Sequence, residues 1–284
     1  MKTVLVTGAN GQLGKCIQKI QSQHAVIKFH FKSSRDLDIT NTKAINDYFS
    51  SHNFDYCINC AAYTNVELAE SEKEKAYLVN AEAAKHLAEA CAKNNVTLIH
   101  ISTDYVFDGT KKTPYVETDT TNPISVYGAS KLKGEQNIQE IFDNYFIIRT
   151  SWLYAEFGKN FYKTILRKAE EKAALTITTE QKGTPTNAND LAELILEIIN
   201  TSTKNYGIYH FSNEGEATWY DFTKEIIQNL NLAEADQPSL KPIESYKTKA
   251  ARPENSVLDK TKVRSIIATI TWQESLRNLM KNHN

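Results

Sequence analysis

Short apolar runs and amphipathic stretches follow one another in a regular rhythm along the first half of the chain. Thr3-Val4-Leu5-Val6 reads as a buried strand, and a helix from about Gln12 to Gln21 follows it after a glycine-rich loop. Ala25 to Phe29 predicts a second strand, Lys43 to Ser50 a short helix, and Asp55 to Cys60 a third strand. Between Glu72 and Lys93, residues Ala76, Val79, Ala83, Leu87 and Ala90 fall three and four apart, the spacing of one helical face. Val96 to Ile101 predicts a fourth strand, Val126 to Phe142 a helix, and Tyr145 to Ile148 a fifth strand. Alternation of this kind predicts an α/β fold, a Rossmann-type doubly wound parallel sheet with helices on both faces.

After Arg149 the rhythm loosens. Helices are predicted from Asn160 to Ala173, Asn189 to Ile199 and Thr218 to Leu230, with a short apolar piece at Gly207 to Phe211. Pro238, Pro242 and Pro253 fall in a looser tail. The expectation is a Rossmann domain over residues 1–150, to which 176–205 returns, and a smaller substrate-binding lobe over 151–284.

Composition narrows the function classes. With 33 basic and 34 acidic side chains the net charge is −1, too small a field to direct the chain to nucleic acid or a membrane surface. No apolar run approaches the roughly 18 residues of a membrane span. The stretch around Val4 to Val6 runs straight into the glycine loop, unlike a secretory signal. Cys57 and Cys60 stand in a C-x-x-C spacing, but residues three apart in a strand face opposite sides. Together with Cys16 and Cys91 they are expected to be buried free thiols in a reducing compartment, which places the protein in the cytoplasm with no metal site.

Gly8-Ala9-Asn10-Gly11-Gln12-Leu13-Gly14 is a G-x-x-G-x-x-G sequence between the first strand and the first helix. Glycine is needed where the backbone turns tightly and approaches a pyrophosphate, and the helix N-terminus supplies free N–H groups for the anion. Gly8, Asn10, Gly11, Gln12, Leu13 and Gly14 are therefore candidate dinucleotide contacts. A carboxylate closing the second strand would select NAD; here Lys32-Ser33-Ser34-Arg35 offers two cations and two hydroxyls to a 2′-phosphate. NADPH is favoured, and NADH is left open.

Tyr127-Gly128-Ala129-Ser130-Lys131 puts a phenol and an ammonium on one helical face. The ammonium is expected to lower the phenol from its ordinary value of about 10, making Tyr127 a usable acid for an alkoxide. The fourth strand ends in Ser102-Thr103-Asp104-Tyr105, at the carboxyl edge where open α/β sheets bind ligands, so the Thr103 hydroxyl can polarise a carbonyl beside Tyr127.

The glycine loop and the Thr103, Tyr127 and Lys131 set resemble the extended short-chain dehydrogenase/reductase superfamily. Further stretches are similar to its dTDP-4-dehydrorhamnose reductase branch: Leu37 to Thr40, Asn59 to Glu70, Ser102 to Gly109, Arg149 to Tyr154, Gly158 to Phe161, Gly183 to Thr186, and Ala251-Arg252-Pro253. The resemblance implies NADPH-dependent reduction of the 4-keto group of a nucleotide-linked 4-keto-6-deoxy sugar, dTDP-4-dehydro-β-L-rhamnose. It further implies that Asp38 and Ile39 hold the adenosine end and that Ala61, Ala62 and Tyr63 line the cofactor. Lys131 would also hold the nicotinamide ribose. Val66, Thr103, Asp104, Tyr105, Trp152 and Asn160 would face the sugar, with Arg252 near the diphosphate.

Two departures stand out. Glu67 occupies a position where the family often has aspartate. Cys16 stands where some members carry a glutamate that binds a divalent metal at a dimer interface, and a thiol is a poor ligand for Mg²⁺. No such metal is expected, and the chain is expected to be a monomer or a homodimer. Two other readings remain. One is an epimerase or dehydratase of the same superfamily, against which Tyr105 stands, where a dehydratase tends to have a second acid after Asp104. The other is a non-catalytic NADP-binding regulatory subunit, like the β subunit of methionine adenosyltransferase.

Overall fold

Alternate residues of the first strand, β1 (Lys2–Thr7), bury to opposite sides: Val4 and Val6 one way, Leu5 the other. That is the pattern of a strand covered on both faces. The computed structural model describes residues 1–233, 236–245 and 247–281, so the last three positions of the expected lobe lie outside the described residues. After β1 come α1 (Gln12–Ile20), β2 (Ile27–Lys32), α2 (Thr42–Ser50) and β3 (Tyr56–Asn59). Two short helices, α3 (Val66–Ala69) and α4 (Lys73–Tyr77), precede a π-helical turn at Leu78–Glu82 and then α5 (Ala83–Lys93). The first half ends with β4 (Thr97–Thr103), α6 (Val126–Ile141) and β5 (Tyr145–Thr150).

In the second half, β6 (Leu153–Tyr154), α7 (Phe161–Glu170), β7 (Leu175–Thr178), β8 (Lys182–Gly183) and β9 (Thr186–Asn187) lead to α8 (Ala188–Thr201). β10 (Gly207–His210), β11 (Ala217–Thr218), α9 (Trp219–Asn229), β12 (Leu240–Ile243) and α10 (Trp272–Lys281) follow. Six strands form one parallel sheet in the order β10-β5-β4-β3-β1-β2. Helices α1 and α8 cover one face, burying Leu13, Ile17, Leu191 and Ile195 against Val4, Ile58 and Ile148. On the other face Ile45, Leu87 and Ile138 pack on Leu5, Leu98 and Ile147. Each such aliphatic side chain contributes about 1.5–3 kcal/mol by leaving water. A third cluster, centred on Tyr154, Ile165, Phe222, Trp272 and Leu276, is built from residues that all follow β5.

The Rossmann-type sheet expected from the sequence is present, with three local corrections. The second strand begins at Ile27 rather than Ala25 and runs on to Lys32, because its ladder sets Lys2 opposite Ile27 and Thr7 opposite Lys32. The single helix expected from Glu72 to Lys93 is interrupted by the π-turn, which carries the buried Asn80 discussed below. Strands β4 and β5 extend two residues past their expected ends, to the pair Thr103 and Thr150. Their last residues are polar yet buried, which hid them from a hydrophobic reading. The segment that rejoins the sheet is β10, with α8 behind it, whereas β7 pairs with β12 outside the sheet. Among the described residues no helix is long and apolar enough to cross a membrane.

Candidate active site

The strand order reverses between β1 and β3, and a crevice opens beyond their carboxyl ends, as it does in open α/β sheets generally. Gly8 sits at the reversal with φ +67°, and a Cβ there would lie 2.6 Å from the Ala61 nitrogen, so only glycine fits. Gly11 donates to the Gly8 carbonyl at 2.9 Å and then stands as the N-cap of α1, where no side chain caps the helix. The first N–H groups of α1 thus face the crevice free for an anion. A cleft of about 300 Å³ continues from here along Gly8, Asn10, Gly11, Ser33, Ser34, Asp38, Ile39, Ala61 and Ala62. Gly14 lies just behind, packed on Ala9 and the Gly8 carbonyl.

The basic turn after β2 is only partly gathered at this cleft. Ser33 and Ser34 line it, but the Ser33 hydroxyl donates to Asp36 at 2.6 Å. That bond, with the Ser33 N–H, holds the Asp36 carboxyl below its usual value. Lys32 lies with its Nζ 4.9 Å from the Tyr48 ring centroid and Arg35 is exposed; neither lines the cleft. Asp38 accepts from the N–H and hydroxyl of Thr40.

A second cleft, of about 630 Å³, adjoins the first through Asn10, Gly11, Cys60 and Ala62. Its floor is the end of β4 and the start of α6. Ser125 caps α6 by accepting from the Gly128 N–H at 3.1 Å, and Glu70 accepts from Val126 N–H at 2.8 Å. A Cβ at Gly128 would lie 2.2 Å from the Tyr105 carbonyl oxygen, so glycine lets the helix start directly against the β4 loop. This close approach brings the Tyr127 phenol within hydrogen-bonding reach of the Thr103 hydroxyl, with the Tyr105 ring edge-on 5.7 Å away. Thr103 donates to Asp104 Oδ1 at 3.0 Å and accepts the Tyr105 N–H at 3.2 Å.

Burial pushes Tyr127 up to about 12; its bond to Thr103 lowers it, and the Asp104 charge raises it. The lowering by Lys131 expected from the sequence is not among the influences on this phenol, which ends above its ordinary value rather than below it. Lys131 is buried beneath the cleft, and its Nζ donates to the Ile101 carbonyl at 2.6 Å, beside His100 Nε2 at 3.4 Å. Burial brings this amine down to about 8, opposed by Glu135.

Asp104 is raised by burial to about 6, against the lowering effect of its bonds from Ser256 and Thr103. A carboxyl raised in the folded state stabilises the fold fully below its unfolded value, near 3.8, and loses that contribution as pH rises through about 6. Asp104→Asn, which mimics the protonated form, should therefore gain in melting temperature over the parent as pH rises from about 4 to about 7. A difference independent of pH across that window would contradict this.

Sequence reasoning missed Asn80. From within the π-turn its Oδ1 accepts from the Tyr63 N–H at 2.8 Å, and its Nδ2 donates to the Tyr63 carbonyl at 3.0 Å and to Ser130 Oγ at 2.9 Å. One side chain thus ties the loop after β3 to the helix that carries Tyr127. The widened turn aims Asn80 inward, a use to which π-bulges are often put. The only sequence signal was a polar residue in an otherwise apolar helical stretch. Tyr63 itself points its hydroxyl at Glu72, 3.0 Å away, and lines neither cleft.

The far wall of the larger cleft is aromatic. Trp152, in the left-handed region at φ +46°, stacks face to face with Trp219 at 3.7 Å and 8°. A bulky residue held there marks local strain retained at a site. Trp219 opens α9 and lines the cleft too; the sequence reading placed it only at the start of a helix. Val66, Tyr105 and Asn160 also line the cleft. The Asn160 amide is fully engaged, however: Nδ2 donates to Gln12 Oε1, Ala155 O and Phe157 O, while Oδ1 caps α7 at Lys163 N–H. Arg252 lies outside the lining residues, paired with Glu67 at 2.5 Å and donating to the Ala250 carbonyl at 3.2 Å.

All four cysteines are free. Cys16, Cys57 and Cys91 are buried; Cys60 is half-buried and lines both clefts, a correction to its expected place in the core. Burial raises the Cys16 thiol to about 12. Among the described residues no three His, Cys, Asp or Glu side chains are gathered as a metal site.

The family model described as the RmlD substrate binding domain matches residues 1–284. A dTDP-4-dehydrorhamnose reductase of Aggregatibacter actinomycetemcomitans is 38% identical, over 98% of this chain and 98% of its own. The one from Escherichia coli K12 is 35% identical, over 98% and 96%. Among solved structures, a Bacillus anthracis dTDP-4-dehydrorhamnose reductase in complex with NADP superposes with a TM-score of 0.94 at 36% identity, covering 99% of this chain and 100% of that one. With a glycine-turned crevice, a Thr-Tyr-Lys floor and matches of this length, the chain belongs to the dTDP-4-dehydrorhamnose reductase family.

Proposed function

We propose that this protein is a cytoplasmic NADPH-dependent reductase that converts dTDP-4-dehydro-β-L-rhamnose to dTDP-L-rhamnose, supplying an activated sugar for polysaccharide synthesis. The observation that carries this reading is the gathering of Tyr127, Thr103 and Lys131 on the floor of a cleft that runs from the glycine loop to a pair of stacked tryptophans. The chain fits the cofactor: Gly8 lets the loop turn tightly against the Cys60–Ala61 backbone, where a Cβ would clash, and the uncapped start of α1 suits a pyrophosphate. Ser33 and Ser34 would meet the 2′-phosphate, with Lys32 and Arg35 supplying charge from outside the cleft. Asp38, Ile39, Ala61 and Ala62 would enclose the adenosine end. When bound, the reduced nicotinamide supplies the hydride.

The chain's own residues would do the rest. Tyr127 passes its proton to the oxygen at C4 as negative charge develops there, and becomes a phenolate. Thr103 donates to the same oxygen only by releasing Asp104, so Asp104 governs how freely that hydroxyl turns. Lys131, held by the Ile101 carbonyl, would hydrogen-bond the nicotinamide ribose. Val66, Tyr105 and the tryptophans would pack on the sugar's C–H faces, and Arg252 would meet the diphosphate at the mouth. We assign the cofactor half to residues 1–150 with 188–211, and the sugar half to the remainder.

The test is a coupled one: loss of NADPH absorbance with dTDP-4-dehydrorhamnose, compared with GDP- and UDP-linked 4-keto sugars. Stoichiometric NADPH consumption selective for the dTDP sugar is expected. Conversion without net consumption would instead point to an epimerase or dehydratase. No turnover despite tight NADPH binding would point to a regulatory subunit. Trp219→Ala should raise the KM for the sugar about 3- to 10-fold, the effect of losing one aromatic contact, with kcat little changed. An unchanged KM would remove Trp219 from the sugar site.

A further inference from the structure

Two buried histidines hold neutral rings, and their partners differ in kind. His210 is conventionally satisfied: Nδ1–H donates to the Tyr115 carbonyl at 3.0 Å, and the Nε2 lone pair faces Arg149 Nη1 at 3.4 Å. His100, on β4 and 1% exposed, has a nitrogen partner at each end. Asn59 Nδ2 lies 3.1 Å from its Nδ1, and Lys131 Nζ lies 3.4 Å from its Nε2. The Asn59 amide is fixed in this sense, because its Oδ1 accepts from Ala61 N–H at 3.2 Å and from the Thr7 hydroxyl at 2.7 Å. An amide nitrogen only donates. The His100 lone pair is therefore on Nδ1, and its single proton is on Nε2, aimed at Lys131. Against an ammonium, that N–H is one donor facing another. Against a neutral amine it is a hydrogen bond. The Ile101 carbonyl accepts from Nζ in either state.

We infer that His100 is a positioning residue that biases Lys131 toward its neutral amine, through a ring tautomer locked by Asn59. The other groups around this pair do not supply the same bias. Glu135, one turn along α6, favours the ammonium, but its carboxylate is engaged by Arg149 of β5 and Ser102 of β4. Asp104, beyond the end of β4, is turned to Thr103. Tyr127, one turn back on α6, and Cys60, after β3, are neutral groups pushed upward by burial. On the proposed reductase reading, on which this consequence rests, Lys131 then offers the cofactor's ribose fewer N–H donors as the pH rises.

The decisive experiment is NMR of protein labelled at lysine Cε, with the Lys131 signal assigned by Lys131→Arg and followed against pH. In the parent it should titrate well below the other lysines. His100→Gln places an amide oxygen where Nε2 stood. Asn59→Asp draws the ring proton to Nδ1 and turns the Nε2 lone pair toward Nζ. Either change should raise the midpoint by about one pH unit or more, roughly tenfold in the amine-to-ammonium ratio. Thr7→Val, which leaves Ala61 to fix the amide, should leave it in place. An ordinary lysine midpoint in the parent, no movement in the two variants, or an equal movement in Thr7→Val would overturn the inference. The titration needs no sugar, so a moved midpoint together with a silent reductase assay would sink the reaction and keep the role of His100.

Discussion

Tyr127→Phe is expected to lower kcat by about 100- to 10,000-fold, the range of a lost general acid, while NADPH binding stays close to that of the parent. The ring is retained, so its edge-on packing with Tyr105 survives and only the O–H is removed. Burial makes this phenol a weaker acid than a free one, at about 12. It remains a far stronger acid than the alcohol that its proton must create, since an alkoxide is comparable in basicity to hydroxide, whose conjugate acid lies near 15.7. Transfer is therefore downhill without further lowering by a neighbouring cation. Steady-state kinetics and the quenching of protein fluorescence by NADPH separate the two effects. Near-parent turnover would remove Tyr127 from the chemistry.

Arg149→Leu is the change with the largest expected cost in stability, about 3–5 kcal/mol, because it leaves a carboxylate buried without its partner. Arg149 and Glu135 are 2% and 0% exposed and meet through Nη2 at 2.7 Å and Nε at 3.0 Å. Glu135 also accepts from Ser102 at 2.5 Å, and Arg149 lies over the Phe107 ring. The network clamps α6 to β4 and β5 one turn beyond Lys131. Converting both residues, Glu135→Met with Arg149→Leu, should cost less than Arg149→Leu alone, since no charge is then stranded. Denaturant titration of the single and double variants measures this, and a single variant within about 1 kcal/mol of the parent would show that the carboxylate finds other compensation.

That network also explains what the sequence left out of sight. Apolar periodicity found the sheet and its main helices because both faces of the sheet are aliphatic, as Val4, Leu5 and Val6 illustrate. It stopped short at the ends of β4 and β5, where the buried residues are Ser102, Thr103, Arg149 and Thr150, whose burial depends on partners far along the chain. Gly8, Thr103, Tyr127 and Lys131 were legible because each sits at a fixed offset in a local motif. Asn80, Trp219 and His100 were not, because what they touch is decided by tertiary packing. The turn after β2 marks the opposite error: its charges were legible, but not that Lys32 would lie against Tyr48.

The place of β10 in the sheet has a practical consequence. This edge strand, Gly207–His210, hydrogen-bonds along Phe146–Arg149, and His210 reaches Arg149 itself. A polypeptide ended at residue 150 would leave the outer side of β5 unpaired and strip α8 from the sheet, a recipe for edge-to-edge association. A shortened version made for crystallography or for cofactor screening therefore has to retain the chain through the early 210s, with the intervening lobe segments included.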